Sequence, residues 1–156
     1  MLSLNSERWN DLTHAYGRAS DIPNLLKKLA HNLDTESRKR VWTELRSSLC
    51  GASGVYTASY AALPHIVTLA AMQPARERLE YIAFTGMVEA FRHRKEAQLI
   101  PPDLESDYQS ALKQASSLIL ECLKSGWDER GYKILLGALA TVRGEPRLGS
   151  AIMGIS

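Results

Sequence analysis

The sequence predicts an all-α fold, a short superhelix of stacked helical hairpins. Three observations carry the expectation. Apolar residues recur at three- and four-residue spacing in nearly every segment. Alternation at period two is confined to one short candidate, Val55–Tyr60. The chain also echoes itself: Ile22-Pro23-Asn24-Leu25-Leu26-Lys27-Lys28-Leu29-Ala30 returns 41 residues later as Leu63-Pro64-His65-Ile66-Val67-Thr68-Leu69-Ala70-Ala71. Apolar positions 22, 25, 26 and 30 align with 63, 66, 67 and 71, and the two prolines align as well. A helical unit repeating at roughly 40–47 residues is the mark of a solenoid whose units stack to share a core. Such stacks present surfaces to other macromolecules.

Each element has a local reason. Trp9, Leu12 and Tyr16 fall at i, i+3 and i+7 and predict an N-terminal helix, stopped by Gly17. Ser20 is a suitable N-cap for the next helix, with Pro23 in its first turn, where a missing N–H costs little. Ile22, Leu25, Leu26, Leu29 and Leu33 form its stripe. Asp34 or Thr35 caps a second helix that turns Val41, Trp42, Leu45 and Leu49 inward. Gly51-Ala52-Ser53-Gly54 is a loop. A third helix runs from about Thr57 to Met72, interrupted or begun afresh near Pro64. Pro74 suits the first position of a fourth helix. That helix is apolar on two faces, through Leu79, Ile82 and Met87 on one and Tyr81, Phe84 and Val88 on the other, and so belongs at the centre. The stretch His93–Pro102 is a linker, ending in two prolines. Helices follow from about Asp103 to Lys124 and after Asp128. Gly144 and Pro146 mark a short final turn or helix, whose apolar residues 148–153 cap the core. The layout is an N-terminal helix plus three helical hairpins, in a single domain over 1–156.

Composition narrows the function. The chain has 156 residues, 45% of them apolar and 23% charged, which is ordinary for a globular domain with one core. The net charge of +2 lacks the basic excess usual in nucleic-acid binders. The segment Met1–Arg8 has no apolar core of a signal peptide. No apolar run reaches the roughly 18 residues of a membrane span. A cytoplasmic location without membrane contact is expected. Cys50 and Cys122 stand alone, without a Cys-x-x-Cys pair, and read as buried free thiols.

No catalytic residues, metal site or cofactor are expected. Gly51-Ala52-Ser53-Gly54 does not match a nucleophile elbow, and no phosphate-binding loop occurs. His14, His31, His65 and His93 are isolated, with no helical i, i+4 pair to hold zinc. Glu80 and Glu89 share a helix but fall on different sides, as solvated residues. The candidates for recognition are basic and aromatic. If the second helices of the hairpins line a concave surface, Arg38 and Lys39 with Arg76, Arg78 and Arg92 form a stripe, diluted by Glu36, Glu44, Glu77, Glu80 and Glu89. Tyr56 and Tyr60 flank the glycine-rich loop, and tyrosine is favoured at interfaces. Trp42 is assigned to packing.

The run Trp9-x-x-Leu12-x-His14-Ala15-Tyr16-Gly17-x-Ala19-x-Asp21-Ile22-Pro23, followed by Val55-Tyr56-x-Ala58-Ser59-Tyr60-Ala61-Ala62-Leu63-Pro64-His65, resembles bacterial HEAT-like helical-repeat proteins. The resemblance covers roughly residues 9–72. Members often carry His-Gln-Gly before the tyrosine, where this chain has Gly51-Ala52-Ser53-Gly54, so no role of that histidine transfers. The resemblance implies a short HEAT-like α-α superhelix. By size and fold it is similar to immunity proteins, which bind and neutralise a cognate toxin. The expectation is a protein-binding module of that kind. The alternatives are a nucleic-acid-binding, glycosylase-like HEAT protein and a structural, self-associating one.

Overall fold

A computed structural model describes residues 1–51 and 54–155, so Ala52 and Ser53 of the expected loop lie outside the described residues. The chain opens on a 3-10 turn, Glu7–Asp11, and not on the expected helix. Leu12 is extended, and Thr13–His14 (β1) pairs antiparallel with Gly17–Arg18 (β2). The helical spacing misled because Trp9 and Leu12 are buried from a turn, whereas Tyr16 sits at a hairpin tip, 75% exposed. Tertiary partners compete with the helix here. The Thr13 N–H is taken by Thr57 Oγ1 at 2.9 Å, and the Ala15 N–H by the Ser48 carbonyl at 2.9 Å. Gly17, at φ 135°, occupies a region that L side chains rarely adopt, so it shapes the hairpin. His14 locks it: its Nδ1 accepts from the Tyr16 N–H at 3.0 Å, so Nε2 carries the proton donated to Asp21 at 2.9 Å.

Helix α1 spans Ile22–Ala30, with Pro23 in its first turn as expected. Asp21 holds the N-cap position in place of Ser20, but its carboxylate faces His14 and makes no cap bond. Helix α2 spans Thr35–Leu49 and is capped by Asp34, which accepts from the Ser37 N–H at 2.9 Å. Strands Cys50–Gly51 (β3) and Gly54–Val55 (β4) pair antiparallel, so the one stretch with alternation contributes the last strand residue before a helix. Helix α3, Thr57–Ala71, runs unbroken through Pro64. A second 3-10 turn, Ala75–Arg78, follows Pro74 and leads into α4, Leu79–Arg92. Helix α5 spans Glu105–Cys122. Helix α6, Glu129–Val142, is capped by Asp128, which accepts from the Gly131 N–H at 2.7 Å. Helix α7, Pro146–Met153, ends at left-handed Gly154.

The fold is all-α apart from the two small hairpins. Helices α1, α3 and α5 lie side by side in one layer, and α4, α6 and α7 pack together in the other. Helix α2 packs on α1 through Leu45, Ser48 and Leu49. The main core runs through α1, α3, α4 and α5, and α3 is buried on nearly every side. A smaller core gathers Ile82, Ile119, Cys122, Leu135 and Ala138, closed by Met153 of α7. Cys50 and Cys122 are free and buried, and burial pushes the Cys50 thiol up to about 12. Among the described residues no helix is long and apolar enough to cross a membrane.

Candidate protein-docking groove

Helix α4 packs along α6, but α2 and α4 are not a packed pair. They meet where Trp42 lies against Tyr81, ring centres 4.7 Å apart, and against Phe84 at 5.5 Å. Elsewhere the walls stand apart and enclose an open groove of about 840 Å³. The sequence explains the opening. Helix α2 has one apolar stripe, Val41, Leu45 and Leu49, and α1 uses it. The groove face of the same helix, Thr35, Arg38, Lys39, Trp42, Thr43 and Arg46, recurs at three- and four-residue spacing and is polar except at Trp42. Such a face has little apolar area with which to close onto a neighbour.

The groove walls differ in charge. The α2 wall carries Arg38, Lys39 and Arg46, and the facing wall carries Glu77 and Glu80. Arg38 donates to the Leu29 carbonyl at 3.1 Å and the His31 carbonyl at 3.2 Å, which tethers α2 to the end of α1. Glu80 pairs with Arg130 at 3.1 Å. Beyond Arg46 and Glu80 the groove continues into a smaller, largely apolar pocket of about 120 Å³. Phe84, Met87, Ile134, Met153 and Ile155 line it.

The expected recognition residues divide. Arg38 and Lys39 lie in the groove. Arg76 is exposed but does not line the groove, and its guanidinium lies over the Trp127 ring, 5.7 Å from the centre. Arg78 and Arg92 do not join a stripe, because both are held inward. Arg78 donates to the Gln73 carbonyl at 2.8 Å and pairs with Glu121 at 3.1 Å, fastening the turn before α4 to α5. Arg92 donates twice to Glu89, at 2.6 and 2.8 Å. Glu89 is 2% exposed, against the expectation of a solvated residue. It also accepts from the Tyr108 hydroxyl at 2.6 Å and lies 3.1 Å from His93 Nε2. A carboxylate this buried is tolerable because each oxygen is paired. Burial and the neighbouring Glu89 charge push the Tyr108 phenol well up.

Tyr60 is buried, 1% exposed, and donates to the Gln98 carbonyl at 2.6 Å, so it braces the linker and offers no surface. Burial pushes its phenol up to about 12. Tyr56 is half-buried at the start of α3, where its N–H is capped by Ser59 Oγ at 3.0 Å. Arg46, Tyr81 and Trp42 are groove residues that the sequence leaves out of recognition or assigns to packing, and Glu77 is one that it counts only as diluting the basic charge. The signal was the second stripe on α2, offset from the apolar one.

Among the described residues no group of three metal-ligating side chains is placed to hold an ion. No protein family, curated protein or solved structure matches the chain.

Proposed function

We propose that this chain is a protein-binding helical-repeat module of HEAT-like type, most concretely an immunity protein that neutralises a toxin by occupying one of its surfaces. The single supporting observation is the gap between α2 and α4. Stacked hairpins bury neighbouring helices against each other, as α4 and α6 do. Here the corresponding space is left open and lined by an aromatic cluster with ionic walls, a composition favoured where one protein anchors on another. Glu77 on the facing wall and the apolar extension beyond Arg46 suit a protein segment better than a phosphate chain, which ranks the nucleic-acid reading second.

The test is affinity capture from cells that encode the chain, with the wild-type protein and with Thr43→Trp. Thr43 is exposed on the groove face, so the indole obstructs any occupant without entering the core. A single stoichiometric partner, lost on Thr43→Trp and toxic when expressed without this chain, is the expected result. A partner retained equally by Thr43→Trp contradicts the reading.

A further inference from the structure

Resting on the docking reading, we infer that the groove takes an acidic segment of the partner protein. Its carboxylates lie along the α2 wall and its apolar side chains enter the pocket beyond Arg46. The argument starts from which side chains share a helix face. At about 100° per residue, positions 35, 38, 39, 42, 43 and 46 fall within one broad stripe. That stripe holds three cations and no acid. Glu36 and Glu44, which dilute the charge when the sequence is read linearly, project from the flank and the opposite side of the helix.

Partners matter as much as placement. Among the described residues neither Lys39 nor Arg46 forms an ion pair. Arg38 is bonded only to backbone carbonyls, which leave its charge unneutralised. Across the groove, Glu80 is already engaged by Arg130 at 3.1 Å, and Glu77 is the remaining acid. The α2 wall is therefore an uncompensated strip of three cations facing a wall on which one of two acids is already paired. Complementary charge across an interface fixes orientation and discriminates partners.

Geometry sets the spacing. Lys39 and Arg46 lie seven residues apart on one helix face, about 10 Å along its axis. Two carboxylates at that separation fit two turns of a helix, where residues seven apart share a face. Next to Arg46 the lining changes to Phe84, Met87, Ile134, Met153 and Ile155. One end of the segment thus meets charge and the other meets aliphatic surface. A nucleic acid has no counterpart for the second half, and, charged at every nucleotide, it cannot turn all its phosphates away from Glu77 as a peptide with its acids on one face can.

The experiment pans a random-sequence peptide display library on the immobilised protein, with the double variant Lys39→Glu, Arg46→Glu panned in parallel. Both positions are exposed, and circular dichroism verifies that the variant keeps its helices. Expected are peptides that combine Asp or Glu with Leu, Ile, Phe or Met. Their binding should fall at least about tenfold on the double variant. Three results overturn the inference: no enrichment or enrichment without acidic bias, equal binding by the double variant, or a short labelled DNA duplex bound more tightly than the peptides. Capture of the cellular partner separates this failure from that of the docking reading. A partner lost on Thr43→Trp but retained by the double variant removes the acidic class and leaves the groove as the docking site. One retained by both removes the two together.

Discussion

Helix α2 and the α6–α7 pair solve opposite packing problems, although both border the apolar pocket beyond Arg46. At α6–α7 the chain places glycines where backbones meet. A Cβ on Gly149 would lie 1.8 Å from Thr141 Oγ1 and 2.5 Å from the Gly137 carbonyl. One on Gly137 would lie 2.4 Å from Met153 Cγ, and Gly86 admits Ala138 in the same way. Those small residues let α6 and α7 pack to backbone contact. Helix α2 has no glycine at its free face, only long cations, two threonines and one tryptophan. The contrast teaches that the opening between α2 and α4 is not loose packing in general, because the same chain packs to backbone contact a few helices later.

The comparison can be broken most sharply at the closed end. Gly149→Ala should cost about 3 kcal/mol, at the upper end of overpacking penalties, because the intruding atom meets backbone as well as a side chain. Denaturant unfolding reads this as a lower midpoint with an unchanged slope. A neutral result would mean that α7 does not close on α6 as described. Next in size is Glu89→Gln, on the buried flank of α4 away from the groove. It leaves Arg92 and His93 without their shared carboxylate and should cost about 2 kcal/mol, less than a fully buried pair because Arg92 reaches the surface. A third site lies on α3. His65, half-buried, donates from Nε2 to the Leu2 carbonyl at 2.8 Å, and burial holds its pKa below the ordinary 6.5. A depressed pKa means that the native state binds fewer protons than the unfolded chain. Stability should therefore be intact above pH 6.5 and fall as pH drops through the lower native value. The decline should flatten in His65→Gln, as measured by unfolding midpoints between neutral and mildly acidic pH. The smallest effect belongs to the open end. Lys39→Glu with Arg46→Glu should shift stability by no more than about 0.5 kcal/mol, as exposed substitutions usually do. A large loss there would mean that α2 relies on those cations for folding.

How much of this was legible in the sequence depends on what each residue answers to. The caps Asp34 and Asp128, the central α4 and the short final element opened by Pro146 follow from local chemistry, and local chemistry predicts them. The N-terminal helix failed because Thr13 and Ala15 bond to Thr57 and Ser48, far along the chain. Pro64 looked like a break, yet α3 carries it in mid-helix, buried among neighbours that hold the helix together. Glu89 looked solvated because its partners include Tyr108 on the next helix, invisible to helical spacing alone. The groove was half legible. Arg38 and Lys39 read as recognition residues and lie in the groove, but Arg92 and Tyr60, alike in type, are held elsewhere, Arg92 by buried Glu89 and Tyr60 by the Gln98 carbonyl. The second stripe on α2 could be counted from the sequence. That no helix would cover it could not, since that depends on where α4 is drawn by α6 and α7.

The central claim, that the α2 face turned toward α4 is the surface a partner occupies, is tested most directly by two adjacent residues. A photo-crosslinking amino acid placed at Thr43 faces the groove, and one placed at Glu44 projects from the other side of the same helix. In cells that encode the chain, irradiation should yield a covalent adduct with one protein from position 43 and little or none from position 44. Equal adducts from both positions, or an adduct from position 44 alone, would contradict the account.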